Sequence, residues 1–418
     1  MRLAYIATGY PYASHTFIRN EVEGLRRLGA EVETFTVQRS KRSEVRSEAD
    51  RTAFETTYAI RPPRLWHFVR AHARALVGSP GRYGHTLRVA LAMGGSAPRD
   101  SLWHVFYFVQ AVVLWNECRR RHIRHVHAHF ANVSSDLALL AAELGGHEQG
   151  WSWSFTMHGP TEFYDVVGHR LPEKVSRAAM VVCISDFARS QLMGLTAAAN
   201  WSKLQVVHCG IDTVRFAPSC SADEAAQAGA VRVLNVGRLV PVKGQAVLLH
   251  AAADLRNRGV DVELRIGGSG PEAARLSELA ADLGLSTSTH FLGALGHDTV
   301  RAEMARADVF CLPSFAEGVP VVLMEAMASG LPVVASRVMG IPELVEEGVT
   351  GRLVSPGAAE PLADALEELA RALARRRAMG ACGRARVVAD FEQNRSAAEL
   401  HRLFARRLTS TNRMPVSG

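Results

Sequence analysis

Residues 313–334 read PSFAEGVPVVLMEAMASGLPVV, and this stretch decides how the second half of the chain is interpreted. An apolar, strand-like run at 308–312 precedes it, and its own second half is again apolar. Proline suits the first position of a helix, where its missing N–H costs nothing, and glycine suits the position just past a helix end. The pattern therefore predicts a strand, a loop and then a helix that begins at Pro320 and ends before Gly330.

Two glutamates fall at informative places in this unit. Glu317 lies on the loop at the start of the helix, and Glu325 lies about a turn and a half inside it. The start of a helix presents unpaired N–H groups and the positive end of the helix dipole, which suit a phosphate. A carboxylate farther along can accept hydrogen bonds from both hydroxyls of a vicinal diol. The arrangement indicates a nucleotide-sugar site, and the plain alternative is a helix cap with one solvated glutamate.

The order of these residues resembles the signature of family-4 retaining glycosyltransferases, which have the GT-B architecture. The matching positions are Glu317, Gly318, Pro320, Glu325, Ala326, Ala328, Gly330, Pro332, Val333 and Val334. The resemblance implies an α/β protein with two Rossmann-like, doubly wound domains that face each other across a cleft. It also implies that Glu317 contacts the donor sugar, that Glu325 binds the ribose hydroxyls, and that the backbone of Gly318 and of Val319, Pro320 and Val321 lies at the donor.

A second motif follows the apolar strand predicted at 231–236. Gly237 and Arg238 open a G-R-L-x-x-x-K-G string that ends with Lys243 and Gly244. A guanidinium offers a planar fork of donors to phosphate oxygens, and an ammonium adds a compact charge. The string resembles the diphosphate clamp of the same family, so Arg238 and Lys243 are predicted to be catalytic. The alternative is two solvated surface cations.

A glycine-rich turn, GGSGP at 267–271, follows the strand predicted at 262–266, with Pro271 predicted to start a helix. Its G-x-G-x-x-A string is also found in nicotinamide oxidoreductases. Against that reading, the turn follows the second strand of the domain, and no acidic residue ends the next predicted strand at 290–292. The resemblance instead implies that Gly268 and Gly270 lie near the base and the diphosphate of a donor.

Histidines end two predicted strands of the first half. Residues 125–130 read HVHAHF, and His158 follows the strand in FTMHGP. An H-x-H pair can bind metal, but no third ligand follows at a usual spacing, so we expect no metal here. The resemblance implies that His129 faces the acceptor side of the cleft and that His158 is a catalytic residue beside the donor sugar. Thr161 stands where many family members have an aspartate, which leaves the sugar and the acceptor open.

The first predicted strand leads into a turn with Ser14 and His15, followed by a helical pattern from Phe17 to Leu28. Ligands bind at the carboxyl ends of strands in doubly wound folds. The turn resembles the P-x-x-S-x-T-F-I-x-x-E opening of exopolysaccharide-type members, which ends here at Glu21. We therefore assign Ser14 and His15 to the acceptor-side cleft, with a helix cap by Ser14 as the alternative.

Composition limits the remaining possibilities. The chain has 418 residues, is 48% hydrophobic and carries six scattered cysteines without a C-x-x-C pair, which favours a reducing compartment. The first residues read as a strand and not as a signal peptide, and no stretch is apolar enough to span a bilayer. Residues 1–220 hold 26 Lys and Arg against 18 Asp and Glu, whereas the rest holds 22 against 23. The basic half predicts an anionic partner, and no nucleic-acid motif is present.

One segment of the basic half, within residues 40–122, has helical spacing. A face with Trp66, Phe68, Val69, Ala73 and Leu76 and another with Arg64, Arg70 and Arg74 are expected. A basic amphipathic helix can lie on an anionic membrane, and packing onto the sheet is the alternative. With the exopolysaccharide-like opening, this predicts a cytoplasmic protein that contacts the inner face of the cell membrane.

The domain boundaries follow from shifts in composition. We expect an acceptor-side domain at 1–216, a linker at 217–230, a donor-binding domain at 231–390 and a tail helix at 391–418 that returns to the first domain. A single long helix is expected at 358–378.

The function expected is retaining transfer of a sugar from a nucleoside diphosphate sugar to a hydroxyl of a saccharide or lipid-linked saccharide, in the synthesis of exopolysaccharide or another surface glycan. No cofactor is expected beyond this co-substrate, and no metal, because the chain has no D-x-D string and two cations with a helix start can take its place. An epimerase of the same architecture and a donor-binding protein without catalysis stay open. A retaining glycoside hydrolase fits less well, because its carboxyls lie about 5–5.5 Å apart and eight helical residues span about 12 Å.

Overall fold

A computed structural model describes residues 1–12, 16–42, 45, 47–61, 65–95, 98–218 and 229–411. The chain forms two compact units, Met1–His208 with Ser396–Gly418, and Cys209–Arg395. Residues 209–216, predicted within the first domain, group with the second unit. Each unit is built around one parallel sheet, as a doubly wound α/β fold requires.

Within the described residues, seven strands form the first sheet in the order β3-β2-β1-β4-β5-β6-β7. They are β1 Arg2–Tyr10, β2 Glu31–Arg39, β3 Tyr58–Arg61, β4 His125–His129, β5 Ser152–Met157, β6 Met180–Cys183 and β7 Leu204–Val206. Every neighbouring pair is parallel. The order reverses between β1 and β4, and ligands bind at such a reversal, outside the carboxyl ends of the strands.

Helices connect these strands on both faces of the sheet. They are α1 Thr16–Arg27, α2 Glu48–Thr56, α3 Leu65–Gly78, α4 Pro80–Met93, α5 Pro98–Arg120, α6 Val133–Gly145, α7 Thr161–Tyr164, α8 Leu171–Arg177 and α9 Asp186–Leu195. The α6 helix is almost wholly buried and begins where the Asn132 side chain accepts the N–H of Ser134. The hydroxyl of Ser185 caps α9 in the same way.

The α3 helix differs from its predicted pattern. Phe68 lies on the inner side with His72, their ring centroids 4.5 Å apart, and is not on the face of Trp66. Trp66 and Val77 are 75% and 84% exposed, and Arg70 is exposed beside them. The spacing of these residues places apolar and basic side chains together on the outer face. Among the helices that the structure describes, none is both long and apolar enough to cross a membrane.

The second sheet has six strands within the described residues, in the order β10-β9-β8-β11-β12-β13. They are β8 Val231–Val236, β9 Val262–Gly267, β10 Thr289–Gly293, β11 Val309–Leu312, β12 Val333–Ser336 and β13 Gly351–Val354. All neighbours are again parallel, and the order reverses between β8 and β11. The two units therefore share one strand order, and each has one reversal.

The helices of the second unit are α10 Gln245–Asn257, α11 Ala273–Asp282, α12 His297–Arg306, α13 Val321–Ala328, α14 Ile341–Leu344, α15 Ala359–Arg371 and α16 Leu373–Asp390. Two predictions were wrong here. The α11 helix begins at Ala273, two residues after Pro271. The single helix predicted at 358–378 is interrupted, because Ala372 has a non-helical backbone (φ −122°, ψ 77°) that separates α15 from α16.

The last helix, α17 Gln393–Thr411, groups with the first unit from Ser396 onward. Leu400 and Phe404 are buried in the apolar cluster that also contains Leu3 and Tyr5 of β1. The Phe404 ring lies 5.1 Å from the ring of His127 and 6.3 Å from that of Tyr5, measured between centroids. The α17 helix thus covers the face of the sheet that carries the strand histidines.

Candidate active site

The loops after β8 and β11 lie against each other at the strand reversal of the second unit. The N–H of Phe315 donates to the carbonyl of Val242 at 2.8 Å. Gly244 has a φ of +66°, and a Cβ on it would lie 2.1 Å from the carbonyl oxygen of Pro313. Only glycine permits this approach. The two motifs recognised separately in the sequence are therefore held together by their backbones.

Lys243 and Glu317 form an ion pair across these loops. The Nζ of Lys243 lies 2.6 Å from Oε1 of Glu317, and the two side chains are only 19% and 10% exposed. The sequence predicted that one would meet a diphosphate and the other a sugar, and the structure joins them. Each charge is thereby neutralised and oriented before any ligand binds.

Arg238 is exposed at the carboxyl end of β8, directly after the half-exposed Gly237. The carbonyl of Arg238 accepts a hydrogen bond from Nε2 of Gln245 at 3.1 Å, which fixes the backbone at this position. The guanidinium therefore extends from an anchored strand end towards solvent, where an anion can reach it.

The predicted glycine turn lies against the same strand end. Gly268 has a φ of +143°, and a Cβ on it would lie 1.8 Å from the carbonyl oxygen of Gly237. A Cβ on Gly270 would meet the carbonyl oxygen of Leu239 at 2.2 Å. The need for glycine at both positions is thus explained by close packing of the turn onto the loop after β8. That packing places a third loop at this edge of the sheet.

The start of α13 completes the edge. Pro320 is the N-cap residue (φ −74°, ψ 117°), so the helix begins at Val321, one residue later than predicted. The N–H of Leu323 makes the first helical hydrogen bond, to the carbonyl of Pro320 at 3.0 Å. The N–H of Val321 comes before that first bond, so it belongs to the N–H groups that have no partner within the helix. Gly318 and the buried Val319 lead into it from Glu317.

Glu325 is buried inside α13. Burial raises the pKa of its carboxyl to about 8, and Arg215 opposes that rise only in part. Arg215 itself pairs with Asp298 at 3.0 Å. Ligand hydroxyls that bonded the carboxylate would offset its lost hydration, because hydrogen bonds to the charged form favour it.

Two residues at this edge were not selected from the sequence. Ser314 is buried, and its hydroxyl has no hydrogen-bond partner among the described residues. Its only signal is its place two residues after the end of β11. Arg215 lies far from Glu325 in sequence, so no motif links the two.

The first unit carries a ladder of histidines at its own strand reversal. In parallel register, His125 and His127 of β4 lie beside Ser152 and Ser154 of β5. Both ring nitrogens of His125 lie 2.8 Å from the hydroxyls of Ser152 and Ser154. The ring nitrogens of His127 lie 2.8 Å from Ser154 and 2.9 Å from the hydroxyl of Thr156. Alternate residues of a strand share one face, which is why the H-x-H-x-H pattern produces a ladder.

At the carboxyl end of β4, the ladder continues into a contact between two predicted site residues. Nδ1 of His129 lies 2.8 Å from Nε2 of His158, and both residues are buried. Nε2 of His129 lies 3.5 Å from Oε1 of Glu21, to which the Tyr5 hydroxyl donates at 2.7 Å. Glu21 was noticed in the sequence only as the last residue of a motif. The structure brings it to the histidines from α1.

Burial governs the protonation of this group. It raises the pKa of Glu21 to about 7, although the hydrogen bond from Tyr5 acts in the opposite direction. It lowers the pKa of His125 to about 4, and it lowers that of His127 as well, with further lowering from the neighbouring histidines. His125 and His127 are therefore neutral, hydrogen-bonded imidazoles at pH 7.

One group within the described residues could approach a metal ion. The ligand atoms of Glu21, His127 and His129 all lie within 4.8 Å of one another. The sequence gave no third ligand because Glu21 lies about a hundred residues earlier, on another element. Both ring nitrogens of His127 are already hydrogen-bonded to hydroxyls, so an ion bound by His127 would have to displace one of these bonds. The remaining predicted residues, Ser14 and His15, lie outside the described residues.

Comparison with known proteins agrees with this arrangement. Residues 221–386 match the family described as glycosyl transferases group 1. A GDP-mannose-dependent alpha-(1-6)-phosphatidylinositol monomannoside mannosyltransferase of Mycobacterium tuberculosis is 33% identical over 275 residues, which are 62% of this chain and 67% of that protein. A Salmonella typhimurium protein named as a candidate colanic acid biosynthesis glycosyltransferase is 29% identical over 391 residues, 89% of this chain and 91% of that one.

A solved structure supports the fold. Anabaena Alr3699/HepE in complex with UDP-glucose superposes with a TM-score of 0.71 at 18% identity, covering 97% of this chain and all of that one. The chain belongs to the group 1 glycosyltransferases, and its two Rossmann-like units are those of the GT-B architecture.

Proposed function

We propose that the protein is a retaining glycosyltransferase that moves a sugar from a nucleoside diphosphate sugar to a hydroxyl of a saccharide or lipid-linked saccharide. The observation that carries this is the meeting of the loops after β8, β9 and β11 at one sheet edge. There, Arg238, the Lys243–Glu317 pair and the start of α13 lie together, with the buried Glu325 inside that helix.

Each of these groups has a part in binding the donor. Arg238, Lys243 and the N–H groups at Val321 bind the diphosphate, where negative charge develops as the glycosidic bond breaks. Donors that are positioned before the reaction stabilise such charge without reorganisation, and each contributes about 10²–10³-fold in rate. Glu325 accepts the two ribose hydroxyls, and Glu317, held by Lys243, orients the sugar.

Retention follows a front-face route in this proposal. The leaving phosphate oxygen takes the proton of the acceptor hydroxyl, and no carboxylate attacks the anomeric carbon. For His158 we keep the role that the family resemblance implies, a contact with the donor sugar. The reaction needs no metal, because the cations and the helix start supply the positive charge.

The acceptor belongs to the synthesis of exopolysaccharide or another surface glycan. Two relatives support this choice, since one acts on a phosphatidylinositol monomannoside and the other is named for colanic acid biosynthesis. The exopolysaccharide-like opening that ends at Glu21 supports it independently.

A thermal-shift screen tests the donor site first. UDP, GDP and ADP, each free and with glucose, galactose or mannose attached, are added to the whole protein with EDTA present. One base is expected to raise the melting temperature by mass action. Glu325→Gln is expected to reduce that rise, and Glu278→Gln, an exposed glutamate of α11, serves as the matched control. No rise with any nucleotide would overturn the proposal.

Product analysis then separates transfer from its alternatives. The stabilising donor is incubated with and without lipid-linked saccharides extracted from bacterial membranes. A glycosyltransferase forms an elongated acceptor, whereas an epimerase converts the donor sugar with no acceptor present. A product whose new linkage has the opposite anomeric configuration to that of the donor sugar would contradict retention.

We also propose that the protein acts at the cytoplasmic face of the membrane through the outer face of α3. Trp66, Val69 and Val77 are exposed there with Arg70 and Arg74 among them. Aromatic and aliphatic side chains enter the interface of a bilayer, and arginines bind anionic headgroups.

Flotation with vesicles tests this surface. The protein is expected to float with vesicles that contain phosphatidylglycerol and to stay behind with phosphatidylcholine alone. Trp66→Ala with Val77→Ser should abolish flotation, whereas Leu91→Ser, an exposed residue of α4, should not. Equal flotation of all three proteins would exclude α3 as the contact.

A further inference from the structure

Glu21, His129 and His158 form one continuous series of polar groups. The carboxyl of Glu21 lies 3.5 Å from Nε2 of His129, and Nδ1 of His129 lies 2.8 Å from Nε2 of His158. The three residues come from α1, from the end of β4 and from the turn after β5. They therefore meet only because the strand order places β1, β4 and β5 side by side.

The two imidazoles are joined edge to edge. Their planes are inclined by only 24°, and their centroids lie 5.0 Å apart. With a 2.8 Å contact between nitrogens, this separation requires the N···N line to run nearly along the line of centroids. The hydrogen bond therefore lies close to both ring planes, which is the favourable direction for an imidazole lone pair.

Aromatic rings hold His158 in this position. The rings of Phe17 and Phe130 each lie 4.7 Å from the His158 ring, measured between centroids. Phe130 has a φ of +70°, which is rare for an aromatic residue, and its N–H donates to the carbonyl of Thr156 at 3.0 Å. Such backbone strain persists where the surroundings enforce it, and it is typical of functional sites.

The hydrogen bond between the rings limits their protonation. One nitrogen must donate and the other must accept, so the tautomer of His158 depends on that of His129. Nε2 of His129 faces the carboxyl of Glu21 at 3.5 Å, so the protonation of Glu21 biases which ring nitrogen of His129 carries the proton. A change at Glu21 should thus reach His158 through two rings.

We propose that Glu21 and His129 are positioning residues that fix the tautomer and the ring orientation of His158. The arrangement resembles the logic of a catalytic triad, in which a buried carboxyl orients one imidazole. Here a second imidazole is added. The relevance to catalysis rests on the proposed function, in which His158 contacts the donor sugar, whereas the coupling itself does not.

Other titratable groups of the described residues lie around the series. Tyr5 of β1 donates to Glu21. His127 of β4 lies within reach of both Glu21 and His129, and His125 lies below it. From α17 the facing residue is the uncharged Phe404. The protein therefore offers a conservative variant at the start of the series, Tyr5→Phe, that removes one hydroxyl.

Nitrogen-15 spectra of histidine-labelled protein test the coupling directly. Long-range proton–nitrogen correlations report the tautomer of each imidazole, and His129→Gln and His158→Gln assign the signals. Wild-type His158 is expected to show one predominant tautomer at pH 8, where Glu21, with its pKa of about 7, is mostly ionised. In Glu21→Gln, the ring-nitrogen shifts of both His129 and His158 should move. Ser152→Ala, which removes a hydroxyl at the far end of the ladder, should leave both unchanged.

Two results would overturn the proposal. One is a His158 spectrum in Glu21→Gln that superposes on that of the wild type. The other is an equal shift in Ser152→Ala, which would indicate a general change of packing. If Glu21→Gln does not fold, Tyr5→Phe carries the test, because it should move the same signals by a smaller amount.

Kinetics with the donor found in the thermal screen add a second readout. Glu21→Gln is expected to lower kcat by about 10- to 100-fold with little change in KM, since a misplaced group affects the reacting geometry more than binding. Spectra that change without a change in kcat would retain the coupling and remove its catalytic role. If no donor is found, the spectra still decide the coupling.

Discussion

The two strand reversals of this molecule hold their polar groups in different ways. In the second unit, polar groups lie on loops past the ends of β8 and β11, and backbone packing at glycines holds them. In the first unit, they lie on the strands themselves, buried and joined side chain to side chain. The second unit offers charged groups to a ligand, whereas the first unit keeps its hydrogen-bonding groups buried away from water.

The donor-side motifs could be linked from the sequence alone, whereas His129 and His158 were noticed there without their contacts to each other and to Glu21. A loop site is encoded by contiguous motifs, since each loop follows one strand. A buried ladder depends on the register of neighbouring strands and on a helix that approaches from elsewhere. The experiments below test residues of both sites.

The largest effect is expected at Arg238. Replacing it with alanine removes a charged donor from the diphosphate, so kcat should fall about 10²- to 10³-fold. The melting temperature should change little, because the side chain is exposed. Arg238→Lys keeps the charge but loses the planar fork and should recover activity only in part. Turnover equal to the wild type in Arg238→Ala would remove this residue from the diphosphate site.

Glu21 should make stability depend on pH. Its folded pKa of about 7 is raised above the ordinary value of 4.5 because the side chain is only 18% exposed. The neutral form is the favoured one in the folded protein. The contribution of Glu21 to the free energy of unfolding is thus fully present below about pH 4.5 and is lost as pH rises through 7. The total loss is at most about 3 kcal/mol.

Urea unfolding of the wild type and of Glu21→Gln at pH 5 and pH 8 measures this. The free energy of unfolding of the wild type should fall more between the two pH values than that of the variant. Glu23→Gln, a change at a half-exposed position on the same helix, should follow the wild type. Parallel pH dependence of wild type and Glu21→Gln would show that Glu21 is already ionised at pH 5.

The Lys243–Glu317 pair should show coupling of about 1–3 kcal/mol in a double-mutant cycle, because both side chains are largely withdrawn from water. Lys243→Met alone leaves a buried carboxylate without its partner and should destabilise the protein more than Lys243→Met with Glu317→Gln. Urea unfolding of the four proteins at pH 7.5 gives the coupling. Additive effects would mean that the contact contributes little to stability.

The smallest effect is expected for Glu325. If ribose hydroxyls bind only its ionised form, donor affinity should rise about tenfold from pH 7 to above pH 8, following its pKa of about 8 in the empty protein. Titration calorimetry with the intact nucleotide sugar avoids the ionisation of a terminal phosphate. Glu325→Gln should bind more weakly and without this rise. A rise that persists in the variant would assign it to another group.

Much of the second unit could be predicted, since strand β8 was placed at its observed bounds and the helix after β11 within one residue of its observed start. Errors occurred at ends that depend on packing. Pro320 caps α13 and does not begin it, and Ala372 interrupts a helix whose apolar spacing continues through it. On α3, the spacing placed Phe68 with Trp66, but Phe68 packs partly buried against the core and Trp66 is exposed.

The doubly wound fold class, the family and the loop residues of the donor side could be read from the sequence, because each depends on neighbours along the chain. Only the tertiary structure decided that Lys243 pairs with Glu317, that Glu325 is buried, and that Glu21 reaches the histidines. These properties depend on distances between residues far apart in sequence and on the exclusion of water around them, and neither quantity is written in any single segment.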